Sequence, residues 1–157
     1  MKYLLLLTLF ACGSAQLAPS SDRIHSEVIK TKYSKTQNYS KAMTYFAQSY
    51  GNAKKAIISK DSNSGTIIAD GNVTCNVFRQ TGDINNYSLA YRMTFNSKNK
   101  KIRLKYEDLR IINNLGENVG WSYNQLTSKS DSEKAIKKCL KPLISDIKKS
   151  ITVSDNW

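Results

Sequence analysis

The sequence predicts an α+β domain in which one antiparallel sheet, apolar on one face and polar on the other, is covered on its apolar face by two amphipathic helices. Three observations lead there. The stretch "YSLAYRMTFNSKNKKIRLKYEDLRII" (87–112) alternates apolar and polar residues on either side of a turn, the pattern of a hairpin with one buried face. Residues 35–50 and 130–149 instead carry apolar residues three and four apart, the stripe of a helix that buries one side. Their order is strand, helix, several strands, helix, which packs in two layers.

The elements follow along the chain. Lys2, the run "YLLLLTLF" (3–10) and small residues after it have the build of a secretory signal, and the run is too short to span a bilayer. Two cuts compete. Gly13-Ser14-Ala15 suits cleavage before Gln16, giving a signal peptide of residues 1–15. Leu9-Phe10-Ala11-Cys12 suits a lipobox, giving a signal of 1–11 and a lipidated Cys12. Either way the protein is expected to be exported, periplasmic or secreted in one case and a membrane-anchored lipoprotein in the other; a signal this compact is of the bacterial kind. Residues 16–22 read as a flexible leader, 23–151 as a single domain and 152–157 as a tail.

Ile24, Val28 and Ile29 make 23–31 a first strand with a slip in its alternation. Ser34 caps a helix whose stripe is Tyr39, Ala42, Met43, Phe46, Ala47 and Tyr50, with Gly51 placed to close it. A hairpin follows: strand 55–60, turn Asp61–Gly65, then a long strand from Thr66 with Ile67, Ala69, Val73, Cys75 and Val77 on one face. Gly71 marks a bulge or bend in it. In the second hairpin Leu89, Tyr91, Met93, Phe95, Ile102, Leu104 and Tyr106 share the apolar face, and Arg92, Thr94, Arg103 and Lys105 the polar one. After a loop at 113–129, Ser130 with Glu133 forms a capping box. The last helix buries Ala135, Ile136, Cys139, Leu140, Leu143, Ile144 and Ile147, and Pro142 should kink it near Lys138–Lys141.

Little in the sequence supports catalysis. There is one histidine, His25, near the start. Glu107 and Asp108 are adjacent on a strand and should point to opposite faces. The run Asp61-Ser62-Asn63-Ser64-Gly65 lacks the glutamate a calcium loop needs at its twelfth position, where Asn72 stands. No cofactor or metal site is implied. Cys75 on the apolar strand face and Cys139 in the helix stripe point into the same layer. They either pair as a disulfide in an oxidising compartment or remain two buried thiols.

At this point the residues resemble a family. Asp61-x-x-x-Gly65-Thr66-Ile67-Ile68-Ala69-x-Gly71 and the later "YRMTF…KKIRLKYEDL" resemble the two hairpins of a bacterial exported domain of unknown function with a TBP-like fold. The helix in "YSKAMTYFAQSYGNAKKAI" resembles the one that precedes the first of those hairpins, and the likeness covers about 24–149. The resemblance implies a curved sheet backed by helices and no assigned activity. A TBP-like shape does not carry DNA binding with it.

The formal net charge is +12, with 24 basic and 12 acidic residues, and loss of residues 1–15 removes only Lys2. Such an excess favours acidic partners. The leading expectation is a non-enzymatic envelope protein that binds or scaffolds through its polar sheet face, with Thr74, Asn76, Arg92, Arg103 and Lys105 as the candidate surface. The partner expected is an acidic envelope component or another envelope protein. The rivals are a binder of polyanions, lipopolysaccharide or nucleic acid, and an enzyme acting on an envelope polymer. Against nucleic acid stands the placement of Tyr91, Phe95 and Tyr106 on the face opposite Arg92 and Arg103, because single strands are held where aromatics and cations share a face.

Overall fold

The structure, a computed structural model, describes residues 19–50, 53–75, 87–112, 126 and 128–153. The sheet has five strands: β1 (His25–Lys30), β2 (Ile57–Asp61), β3 (Thr66–Thr74), β4 (Ser88–Lys98) and β5 (Lys101–Ile112). Its order is β1-β5-β4-β3-β2, every pair is antiparallel, and the sheet is open. The helices are α1 (Lys35–Ser49), a short α2 (Ala53–Ala56), α3 (Lys129–Ala135) and α4 (Lys141–Thr152), the last two joined by a π-helical turn at Ile136–Leu140. A 3-10 turn, Ser20–Arg23, occupies part of the stretch read as a leader. The described helices pack on one side only, so the α+β class expected from the sequence is the one observed. No described helix is long and apolar enough to cross a membrane.

Burial follows the strand period. Leu89, Met93, Phe95, Leu104 and Tyr106 are fully buried and Tyr91 and Ile102 nearly so, while Arg92 and Arg103 are exposed. A one-residue slip would reverse every one of these. From the helix side Ala42, Phe46, Leu140, Ile144, Ile147 and Ile151 close the core.

Several local expectations are corrected. β1 has no slip: Ile29 alone is buried, while Val28 is 60% and Ile24 38% exposed. The stripe of α1 is turned slightly, burying Asn38 and Tyr45 and leaving Ala47 exposed. Asn38 is tolerated because its amide donates to the Tyr33 and Lys98 carbonyls at 3.3 and 2.9 Å. Ser34 does cap α1, with Gln37 completing a box; Gly51 lies outside the described residues. The second capping box is formed by Ser128 and Asp131, two residues before the pair expected, with the Asp131 carboxylate accepting the Ser128 N–H at 3.2 Å. Residues 53–56 are helical, so β2 starts at Ile57 and not at 55.

The irregularities also move. Gly71 pairs regularly with Tyr91. The sheet bulges instead at Ile58 on β2 and on β5, where Arg110 and Glu107 face Ala90 and Arg92 across one extra residue. Asp108 takes up that residue with φ 52°. The bulge breaks the simple alternation expected of Glu107 and Asp108, and both carboxylates favour the charge of Arg92. The inward positions shift from 102, 104 and 106 to 109 and 111, which is why Leu109 is buried.

Pro142 acts through the π turn. A proline at 142 cannot donate to the Lys138 carbonyl and its ring crowds that carbonyl. The helix widens just before it, with the Lys141 N–H reaching the Ile136 carbonyl five residues back.

Gly71 has another role than the one expected. A Cβ there would lie 2.7 Å from the Tyr91 hydroxyl and 2.9 Å from Cε1 of Tyr50. Tyr91 is buried and stands edge-on to Tyr106 with centroids 5.3 Å apart, and Tyr50 is partly buried beside it, so a shift of either ring disturbs core packing. Gly71→Ala is expected to cost about 1–3 kcal/mol, in the range for overpacking, read by urea unfolding. Gly71→Ala at parental stability would show that the rings can yield.

Candidate binding face

The face of the sheet away from the helices is built from cross-strand rows, since directly opposed residues bring their side chains within contact distance. One row holds Asp70, Arg92 and Glu107, the next Ile68, Thr94, Lys105 and Ser26, and a third Thr66, Asn96, Arg103 and Val28. The last is Lys98, Lys101 and Lys30.

The candidate residues that are described share this face, yet not as the sequence alone suggests. Arg92 forms a two-pronged pair with Asp70, Nε to Oδ1 at 2.8 Å and Nη2 to Oδ2 at 3.0 Å. That bond is the first cause that holds its pKa above the ordinary value. Lys105 donates to Glu107 at 2.7 Å. Arg103 Nη2 donates to the neutral Asn96 Oδ1 at 2.9 Å. Thr74 is exposed at the end of β3 opposite Ser88; Asn76 and Cys12 lie outside the described residues. The centre of the face is thus balanced by Asp70 and Glu107, which sequence reasoning left out because their pairing needs the register.

Positive charge concentrates at one end. Lys30, Lys98 and Lys101 are exposed, and none has a carboxylate partner among the described residues. The β4–β5 turn between them is held in place from behind. Lys100 (φ 61°) donates its N–H to the Tyr33 carbonyl at 2.8 Å and accepts from the Thr31 N–H at 2.9 Å. Asn99 Oδ1 accepts the Lys35 N–H at the start of α1. Lys32 and Lys41 lie over the Tyr33 ring. On the neighbouring turn Asp61 is held below the ordinary carboxyl range, first by Ser64 and then by the Asn63 N–H. A groove of about 390 Å³ opens beside the lysine row, and its lining includes Val28, Asn96, Lys98, Lys101, Ile102 and Arg103.

The sequence contained half of this signal. A two-residue turn at Asn99-Lys100 sets Lys98 opposite Lys101 whatever the rest of the fold. That β1 joins β5 and adds Lys30 was not legible, because nothing local fixes which edge the first strand takes. On the helix side, Cys75 and Cys139 form a disulfide with Cα atoms 5.5 Å apart, joining the end of β3 to the π turn across 64 residues.

Comparison with known proteins places the fold. Residues 25–111 match the family described as a domain of unknown function (DUF4468) with TBP-like fold. A DUF4468 family protein from Bacteroides ovatus is similar in structure, with a TM-score of 0.60 and 13% identity over 90% of this chain and 93% of that one. A TBP-like protein from Parabacteroides distasonis has a TM-score of 0.54 and 13% identity over 82% and 91%. At that identity the likeness speaks for the fold alone. No curated protein matches the chain. With more than half of its length matched, the chain belongs to the DUF4468 family of domains of unknown function with a TBP-like fold.

Proposed function

We propose that this is an exported, non-enzymatic binding domain that presents the open face of its sheet to an anionic component of the cell envelope. The observation that carries the reading is the lysine row. Three cations stand opposite one another on adjacent strands, an arrangement that costs stability in the free protein and that an anionic partner offsets. Export is supported by the signal-like first fifteen residues and by the Cys75–Cys139 bridge, since disulfides persist chiefly in oxidising compartments. The binding surface lies nearer the β4–β5 turn than the sequence alone suggests, because Arg92 and Lys105 already have carboxylate partners.

Heparin retention of the mature chain from Gln16 tests this. Lys30→Gln with Arg103→Gln on the open face should elute at clearly lower salt than the parent. Lys148→Gln with Lys149→Gln, which removes the same charge from α4 on the other side, should elute near the parent. Equal shifts for the two pairs would mean that net charge alone sets retention, and the reading would fail.

A further inference from the structure

The groove at the lysine row is more selective than a charged surface. Its walls carry Lys98, Lys101 and Arg103, no carboxylate lines it among the described residues, and Lys30 stands in the same cross-strand row. At about 390 Å³ it falls within the range of roughly 300–1,000 Å³ usual for small-molecule sites. Arg103 is aimed: Asn96 Oδ1 holds one guanidinium nitrogen, leaving the rest of the planar fork for a ligand. Asn96 is itself fixed by donating to Thr66 Oγ1 at 3.0 Å. A second hollow of about 400 Å³ shares Lys98 and Lys101 and adds Lys35 and Asn99, so both lysines are reachable from two sides. Lys35 is anchored through its Nζ to the Asn63 carbonyl, and its charge also favours that of Asp61.

Val28 gives the groove an apolar wall, 60% exposed on a strand facing solvent. An exposed valine beside three cations suits a ligand with a charged head and a less polar body. A compact dianion with several terminal oxygens satisfies two ammonium groups and a guanidinium together, which a single carboxylate does not.

We propose, resting on the reading of the open face as the binding surface, that this groove binds a phosphate monoester borne on a small organic carrier. Lys98, Lys101 and Arg103 hold the phosphate, the carrier lies against Val28, and Lys30 adds attraction from the neighbouring strand. The same chemistry is offered by a free sugar phosphate and by a phosphorylated envelope glycan.

Calorimetric titration of the mature chain with glucose 6-phosphate, and with glucose as the uncharged control, decides it. Saturable binding of the phosphate and none of glucose is expected. Lys98→Gln with Lys101→Gln should weaken it by about tenfold or more, and Lys148→Gln with Lys149→Gln by less than about twofold. The groove variant should also melt no lower than the parent, because it relieves the like-charge row; a lower melting temperature would show that row to be neutralised already and would overturn the proposal. Lipopolysaccharide against its dephosphorylated form separates the two sources: preference for the phosphorylated polymer over glucose 6-phosphate assigns the envelope glycan, and the reverse assigns the free sugar phosphate. No saturation by either probe, or equal weakening by the two variant pairs, overturns the inference. If heparin retention still depends on Lys30 and Arg103, the open-face reading survives that failure.

Discussion

Cys75→Ala with Cys139→Ala should lower the unfolding free energy by about 4 kcal/mol, the chain-entropy cost of freeing a loop of this length. The loop closed by the bridge spans 64 residues, and it contains β4, β5, α3 and the start of the π turn. A domain of this size is stable by only about 5–15 kcal/mol, so the loss is a large part of the whole, and the melting temperature should fall by roughly 15 °C. The two cysteines are 2% and 4% exposed, so the loss also includes a smaller contribution from the buried sulfur packing that alanine gives up. The bridge also ties the helix layer to the sheet where Pro142 has already interrupted the α-helical ladder. Hydrogen exchange in the double variant should therefore rise first in α4 and last in the centre of β4 and β5. Urea unfolding with less than about 1 kcal/mol between parent and variant would mean that the reduced chain keeps the same constraint in its unfolded state.

How far the sequence speaks for itself depends on the range of the interaction. The hairpin 88–112 was legible because its alternation is local, and Leu104 and Tyr106 are buried beside exposed Arg103 as the pattern requires. Ser34 was legible as a cap for the same reason. The Asp108 bulge was not: an aspartate with φ 52° carries no glycine to announce it, and its effect on Glu107 depends on the neighbouring strand. Gly71 suggested a bend, but what it serves is the approach of Tyr91 and Tyr50 from two other elements. The candidate face shows the same division. Period two placed Arg92, Arg103 and Lys105 on one side. Which of them is neutralised was set by register with Asp70 on β3 and by Glu107, and the site-like end of the sheet emerged only when β1 brought Lys30 beside Lys101.

Buried tyrosines should make stability fall steeply in alkali. Burial is the first cause that raises the phenol pKa of Tyr45, Tyr91 and Tyr106. Tyr45, which donates to Asp146 Oδ2 at 2.8 Å, is pushed up to about 12, and the other two rise further. Below about pH 10 both the folded and unfolded chains keep these protons, and the stabilisation is fully present. Above it the unfolded chain releases them while the folded chain holds them, so the unfolded state binds fewer protons and stability drops as pH rises. Each such group contributes about 1.4 kcal/mol per pH unit, and three together about 4 kcal/mol per pH unit, continuing for Tyr45 up to its folded value. Phenolate absorbance from the buried set should accordingly appear only as the far-ultraviolet signal collapses. Tyr106→Phe isolates one member. The Tyr106 hydroxyl is buried without a hydrogen-bond partner among the described residues, so removing it leaves the ring packing intact and should not reduce stability at pH 7. The slope of stability against pH between about 10.5 and 11.5 should then flatten by about 1.4 kcal/mol per unit. An unchanged slope would mean that Tyr106 reaches solvent and titrates alike in both states.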